Sequence, residues 1–356
     1  MTKVPSIHRE RFDLCMTHQV SDKIPCDLWI DSNDPSIQTA LIKATSQRDY
    51  EGLLDFLDID IYRFKPKAIR VATGNDIASF FLPPPDSRYL SFSSDALPRL
   101  LSNVEDPAAL DQFDWPTGEI FDYSNIPAIL DAQKHRVLWA QAGTWSPLFC
   151  KVCELCGMEK TLMDMVENPE LIHAIMARII VFYKDTFCRT LEAAGDKLDV
   201  FGFGDDFTTQ QGPMFSKAYW DMYFKEPMRE LVQLIKSYGV YVAFHSCGAI
   251  RDYIADFIDL GINIIFPIQP RAMGMEPEGL KKDFGSKTVF YGGIDVQHIL
   301  PFGTEAEVRS EVDRYGQIMG KDGGYIIASS HGFLKDVPVK NILAMYDEVK
   351  QLSKGR

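Results

Sequence analysis

The feature that most constrains the fold is a repeated alternation of short apolar runs, rich in β-branched and aromatic residues, with longer segments of helical periodicity. The runs predict strands, and the segments between them predict helices. Strands that alternate with helices form βα units on a parallel sheet, and eight of them predict a single (β/α)₈ TIM barrel of the α/β class. The eight predicted strands are 24–30, 58–64, 136–143, 198–206, 240–248, 262–269, 288–295 and 323–332.

One long departure from this alternation lies between the second and third predicted strands, at about residues 65–131. It contains FFLPPPDSRYL and DQFDWPTGEIFDY, which are rich in Pro, Asp and aromatic residues. This composition predicts loops, with a possible hairpin at 69–92. Because no linker flanks the segment, residues 1–356 are predicted to form one barrel domain with an insertion over one end. A separate inserted domain is the alternative.

Composition and charge exclude several classes of partner. The formal charge is −13, from 37 basic and 50 acidic residues. The sequence has no Lys/Arg-rich run of the kind that binds nucleic acid. The start, MTKVPSIHRERFDLC, lacks the apolar stretch of a secretory signal, and no apolar run is long enough for a membrane span. Seven cysteines without an export signal favour reduced thiols and a cytoplasmic location.

A barrel places catalytic groups at the carboxyl ends of its strands. Strand four ends in Asp205 and Asp206, strand five in His245 and Cys247, and strand eight in His331. Because residues i and i+2 of a strand point to the same side, His245 and Cys247 form a chelating pair. A thiolate and imidazoles suit Zn²⁺, and three protein ligands leave a fourth position open for chemistry. We therefore predict a catalytic zinc site held by His245, Cys247 and His331, with ordinary packing as the alternative.

Other polar and aromatic residues near the strand ends are candidates for catalysis or substrate binding. Asp205 and Asp206 are adjacent, so at most one is expected to point into the mouth. The predicted role is general acid or base catalysis. The alternatives are support of a metal-bound histidine, acceptance of a hydrogen bond from the substrate, and capping of the next helix. The tryptophans among the predicted substrate-binding residues could equally belong to the core. The predicted substrate-binding residues are Trp29, Trp145, Gln210, Gln269 and Asp295.

A second cysteine pattern, CKVCELC at 150–156, is a rival metal signal. Cys150, Cys153 and Cys156 are spaced as in an iron–sulfur or zinc knuckle, but a fourth cysteine in a paired motif is absent. The same spacing is that of one helix face, and the surrounding sequence is amphipathic. We therefore expect buried thiols on a helix.

The chain from about residue 199 onward resembles the uroporphyrinogen decarboxylase superfamily, whose members are single (β/α)₈ barrels. The segments that carry the resemblance are GDDFTTQQGPMFS, FHSCGAIRDYIADFIDLGINIIFPIQP, FYGGIDVQHILPFGT and GGYIIASSHGFLKDVPVKNILAMYD. The N-terminal half resembles it more weakly, through HRERFDLCMTHQVSDKIPCDLW and MEKTLMDMVENPEL.

Two departures decide which branch the sequence resembles. The decarboxylases proper carry an arginine-rich MRQAGR-type signature after the first strand, whereas LWIDSNDPSIQTALIK has no arginine to bind a multiply carboxylated porphyrinogen. The corrinoid-dependent methyltransferases carry a His-x-Cys zinc motif, which His245 and Cys247 match, with a cysteine near the end of the last strand. His331 stands in that place and keeps a zinc ligand with one thiolate fewer, which favours a methyl ether donor over coenzyme M.

The resemblance thus implies a zinc-dependent methyltransferase that moves a methyl group between a small substrate, such as a methyl ether, and a corrinoid (cobalamin) carried by a partner protein. A homodimer is a further expectation. Two alternatives stay open. One is a cofactor-free decarboxylase or lyase with His331 as proton donor, and the other is a non-catalytic ligand- or corrinoid-binding protein.

Overall fold

A computed structural model describes residues 4–30, 35–70, 76–82, 99–143 and 148–352. The strands are β1 (Ile61–Phe64), β2 (Lys67–Ala68), β3 (Phe121–Asp122), β4 (Val137–Gln141), β5 (Val200–Gly204), β6 (Tyr241–His245), β7 (Ile264–Ile268), β8 (Val289–Ile294) and β9 (Tyr325–Ser329). Seven of them form a curled parallel sheet in the order β1-β4-β5-β6-β7-β8-β9. This is the α/β, TIM-barrel-like fold that the alternating pattern predicts.

Residues 24–30 lie between β9 and β1 without forming a regular strand. Cys26 makes an isolated parallel bridge with Ile327. On the other side, Asp60 N–H donates to the Cys26 carbonyl (3.0 Å). The ladder is interrupted because Pro25 has no N–H and because Cys26 N–H donates to the Asp60 side chain (2.9 Å) instead of to a carbonyl. The prediction of eight regular strands is therefore corrected to seven strands and one irregular extended segment.

The helices follow the strands in the order expected of βα units. They are α1 (Ile7–Met16), α2 (Ser36–Ala44), α3 (Tyr50–Leu57), α4 (Ile126–Ala132), α5 (Phe149–Cys156), α6 (Met158–Glu167), α7 (Pro169–Ala194), α8 (Lys217–Tyr223), α9 (Lys225–Ser237), α10 (Ile254–Leu260), α11 (Pro277–Phe284), α12 (Ile299–Phe302), α13 (Glu305–Ile318) and α14 (Val339–Leu352). Two of the segments with helical periodicity, at 158–194 and 217–237, are each split into two helices. The first breaks at Asn168, whose side chain accepts from Leu171 N–H and starts α7 ahead of Pro169. Across the described ranges, no helix has the length and hydropathy that a bilayer span requires.

The segment between β1 and β4 is built mainly of turns. Its β2 pairs antiparallel with β3, so the described pairing joins residues 67–68 to 121–122. The predicted hairpin at 69–92 falls largely on residues outside the described ranges, and its described part includes a short 3₁₀ helix at Ile77–Phe81.

The barrel interior holds a hydrophobic cluster separate from the larger core between strands and helices. Val137, Trp139, Phe266 and Tyr291 belong to this inner cluster. α1 covers the N-terminal end, where the Cys15 thiol contacts the carbonyl of Tyr325 at the start of β9 (3.4 Å). The opposite end, at which the strands finish, is therefore the mouth that can hold a site.

Candidate functional site

The site is assembled where β5 and β6 end side by side. Gly204 is paired with His245, and Asp205 N–H donates to the His245 carbonyl (2.9 Å). A side chain at Gly204 would place its Cβ 2.4 Å from His245 Cβ, so only glycine permits this close approach. The two strand ends thereby bring the residues after Gly204 beside His245 and Cys247.

Asp206, His245 and Cys247 form a compact group of potential metal ligands. Their ligand atoms all lie within 4.8 Å of one another. Cys247 Sγ is 3.3 Å from His245 Nε2, and Asp206 Oδ1 is 3.8 Å from the same nitrogen. Asp206 Oδ1 also accepts the N–H of Cys247 (2.7 Å), which fixes the carboxylate against the turn. We call these three residues the mouth cluster.

The turn that holds Cys247 depends on its neighbours. Thr208 Oγ1 donates to the Cys247 carbonyl (2.6 Å). Gly248 follows at φ +90°, and a Cβ there would lie 2.6 Å from the Thr209 carbonyl oxygen. The thiol position is thus set by backbone geometry that a larger residue at Gly248 would disturb.

The environment of the mouth cluster disfavours charge on every member. Burial, reinforced by the Asp205 carboxylate, raises the pKa of Asp206 to about 7. Burial lowers the pKa of His245 well below its ordinary value, and His331 and Arg63 act in the same direction. Burial and the Asp206 charge hold the pKa of the Cys247 thiol well above its usual range. A bound divalent cation would reverse this preference, because it favours the deprotonated thiol and carboxylate.

The donor set fits a zinc ion. Imidazole nitrogen, thiolate sulfur and carboxylate oxygen are all zinc ligands, and bonds of about 2.0–2.3 Å put the ligand atoms of a tetrahedral site about 3.3–3.8 Å apart. The separations of 3.3 and 3.8 Å around His245 Nε2 match this spacing. Three residues also leave a fourth position for a substrate atom.

The two adjacent aspartates have different surroundings. Asp205 is buried, and its carboxylate accepts the N–H groups of Phe149 (2.6 Å) and Cys150 (3.0 Å) at the start of α5. These contacts are those of a helix N-cap supplied from another strand. Of the two aspartates, only Asp206 belongs to the mouth cluster.

His331 lies close to the mouth cluster but outside the group of mutually close ligand atoms. Its ring centroid is 6.2 Å from that of His245. It stacks on Trp29 at 5.0 Å, and Trp29 in turn meets His245 edge-on at 5.5 Å. The structure therefore groups Asp206 with His245 and Cys247, and the role of His331 as a third ligand stays a prediction.

Three other predicted substrate-binding residues, Gln210, Gln269 and Asp295, follow strands that end at the mouth and make hydrogen bonds within the protein. Gln210 Nε2 donates to Gln269 Oε1 (2.6 Å), and that oxygen also accepts Gly248 N–H (2.9 Å), so the two glutamines join neighbouring loops. Asp295 is buried, accepts Gln297 N–H (2.7 Å) and lies 3.8 Å from an Arg271 nitrogen. Trp145 lies outside the described residues.

Arg63 is an interior residue that the sequence predictions omitted. It points inward from β1, and its guanidinium carbon lies 4.3 Å from the centre of the Trp139 ring. The available signal was a charged residue in phase with Ile61 in an otherwise apolar strand. The CKVCELC segment lies on α5, where Cys150, Cys153 and Cys156 are buried as reduced thiols.

Comparison with known proteins places the chain in a family. Residues 92–352 match the family model described as Uroporphyrinogen decarboxylase (URO-D). Uroporphyrinogen decarboxylase of Wolinella succinogenes is 21% identical over 194 residues, which are 53% of this chain and 52% of that protein. The protein of the same name from Nitratiruptor sp. is 23% identical over 52% of this chain and 51% of its own length. The chain thus spans about half the length of the curated relatives it matches.

A solved structure described as a methyltransferase from Methanosarcina mazei has the same fold. It superimposes with a TM-score of 0.63 at 13% sequence identity, over 98% of this chain and 99% of that one. The comparison confirms the resemblance that the strand-end segments indicated. Because the family match extends over most of the chain, the protein belongs to the uroporphyrinogen decarboxylase (URO-D) family.

Proposed function

We propose that the protein is a zinc-dependent methyltransferase that moves a methyl group between a small methyl donor, such as a methyl ether, and a corrinoid carried by a partner protein. The observation that carries the proposal is the mouth cluster, in which the ligand atoms of Asp206, His245 and Cys247 all lie within 4.8 Å of one another. Among the described residues, Asp206 makes no ion pair with lysine or arginine. The full-length likeness to a methyltransferase structure supports the reaction class.

The residues of the mouth have different roles in the proposed reaction. Asp206, His245 and Cys247 would hold zinc, which supplies Lewis-acid polarisation of a substrate oxygen or sulfur when bound. Asp205 is committed to α5, so His331 is the remaining group placed to give a proton to the oxygen that leaves the methyl carbon. Trp29 supports both rings, stacking on His331 and meeting His245 edge-on, and so fixes their separation.

The rim of the mouth offers apolar contacts to a partner. Met273, Phe302 and Leu334 lie in the segments after β7, β8 and β9, and they are 59%, 78% and 50% exposed. Large apolar side chains exposed around one opening are typical of a protein-binding face. These residues favour delivery of the corrinoid by a docked protein.

Metal content tests the ligand assignment. We expect about one zinc per wild-type chain and almost none in Cys247→Ala or Asp206→Ala. Cys188→Ala is the matched control, because Cys188 is a half-buried free thiol on α7 away from the mouth. His331→Ala should keep zinc if it handles a proton, and should lose it if it is a ligand. Full zinc in Cys247→Ala would overturn the proposed site.

Activity is tested with chemically reduced cob(I)alamin and a panel of methyl ethers, following the absorbance change on methylcobalamin formation. The wild type and Cys188→Ala should methylate the corrinoid. Cys247→Ala should not, although its melting temperature and circular dichroism should show a folded protein. Equal turnover by zinc-free and zinc-loaded protein would contradict the proposal.

A further inference from the structure

A second binding element lies one layer deeper in the barrel, at Arg63 of β1. Its side chain is only 10% exposed. Neither Nη1 nor Nη2 makes a hydrogen bond with any described residue. Buried guanidinium donors without acceptors are rare in folded proteins, and those at functional sites often belong to the ligand.

The contacts of Arg63 orient these free donors. Nε donates to Asp27 Oδ2, which also accepts the Tyr291 hydroxyl (3.0 Å). Asp27 therefore holds the Nε side of the guanidinium, whereas neither Nη nitrogen has an acceptor among the described residues. The indole N–H of Trp139, whose ring lies beside the guanidinium, also lacks an acceptor within the described residues.

Aromatic rings connect this fork to the mouth cluster. The guanidinium carbon lies 5.4 Å from the Trp29 ring centre and 5.2 Å from that of Phe266. Those two rings also contact the His245 ring, at 5.5 and 5.2 Å. The cationic fork and the metal-binding residues are thus separated by about one aromatic side chain.

We propose that Arg63 is a specificity-determining residue that binds a carboxylate of the methyl donor. A planar carboxylate offers two oxygens to the two Nη groups in the fork geometry that arginine prefers. Trp29 and Phe266 contact the apolar body between the carboxylate and the reacting methyl group. The substrate class is accordingly a small organic monocarboxylate. This inference rests on the proposed function for the identity of the reaction, but the binding step can be tested without turnover.

The test is a calorimetric titration with two pairs of probes, acetate against acetamide and 4-methoxybenzoate against 4-methoxybenzamide. It is carried out in the Cys247→Ala protein, so that a bound metal cannot supply the carboxylate preference. We expect this protein to bind at least one carboxylate about tenfold or more tightly than its amide. Arg63→Lys should abolish the preference, because lysine keeps the charge but has no fork. Arg271→Lys, the same change at an exposed arginine on the rim, should retain it.

Folding is followed by thermal melting, and a neutral pair, Arg63→Gln with Asp27→Asn, replaces Arg63→Lys if that variant does not fold. Equal affinity for acid and amide, no carboxylate binding in the parent protein, or a preference that survives loss of Arg63 would overturn the inference. A preserved Arg63-dependent preference without zinc or methyl transfer in the wild type would instead overturn the proposed function alone.

Discussion

Each end of the barrel brings together three side chains that could bind a metal ion, but the two groups differ in whether their carboxylates are paired with cations of the protein. At the mouth these are Asp206, His245 and Cys247, and at the N-terminal end they are His8, Asp58 and Asp60. The second group, which we call the base cluster, faces two cations of the protein itself. In the mouth cluster, by contrast, no lysine or arginine of the described residues forms an ion pair with Asp206.

The cations of the base cluster already occupy the positions that a metal ion would take. Lys23 Nζ lies 2.8 Å from Asp58 Oδ2 and 3.1 Å from Asp60 Oδ2, and Arg11 Nη1 lies 3.1 Å from Asp60 Oδ1. Although burial alone would raise the pKa of Asp60, Lys23, His8 and Arg11 hold it at about 2. The pKa of Asp206 is raised to about 7. A close group of His, Cys and Asp side chains therefore indicates a metal site only where no lysine or arginine of the protein already neutralises the carboxylates.

The largest expected effect is on stability at the base cluster. Asp60→Ala should cost about 3–5 kcal/mol of unfolding free energy, because it leaves Lys23 and Arg11 buried without their shared carboxylate. Asp206→Ala should cost much less in metal-free protein, since no cation loses a partner. Urea denaturation of both variants measures the difference. Equal losses would remove the distinction between the two ends.

The next largest expected effect is the loss of stability at the base cluster when the pH is lowered. The folded pKa of Asp60 is about 2, below its ordinary 3.8, so its contribution to stability is complete above pH 4 and is lost as the pH falls toward 2. This shift corresponds to about 2 kcal/mol. The wild type should therefore lose that much more stability between pH 4 and pH 2 than Asp60→Asn. Denaturant titrations at each pH provide the measurement, and parallel curves would contradict the assignment.

The smallest expected effect distinguishes two adjacent residues at the mouth. Asp205→Ala should cost about 1–2 kcal/mol, because it removes the N-cap of α5, but should leave the zinc content unchanged. Asp206→Ala should do the reverse. Chemical denaturation and elemental analysis of the same two preparations provide both measurements. Zinc loss on removal of Asp205 would show that the division between the two aspartates is wrong.

Sequence reasoning identified the elements whose pattern is local. The apolar runs predicted every regular strand of the parallel sheet. The strand phase predicted that His245 and Cys247 would lie together, and the two side chains are close, although Cys247 belongs to the turn after β6. Sequence reasoning did not predict the irregular segment at Cys26, because that irregularity is caused partly by the Asp60 side chain, which lies just before β1 and is distant in sequence.

Long-range packing also decided what the sequence left open at the site. The sequence could not say which of Asp205 and Asp206 faces the mouth, since the start of α5 is a distant partner of Asp205. Arg63 was omitted because its unpaired donors emerge only when β1 and the segment at Asp27 are brought together. The roles predicted for His331 and Trp145 remain predictions.

The closure of the barrel through Cys26 has a kinetic consequence. The bridge to Ile327 joins residues about 300 positions apart, so the chain entropy lost on closing it is the largest of any strand pairing in the barrel. Around Cys26 it is held by two backbone hydrogen bonds, from Asp27 N–H to the Ile327 carbonyl (3.3 Å) and from Ile327 N–H to the Pro25 carbonyl (2.9 Å). We expect this seam to form late in folding and to be the first part of the sheet to open. Its amide hydrogens should exchange with solvent faster than those of β5 and β6, and opening there would loosen Trp29 and Arg63 while the mouth cluster stays together.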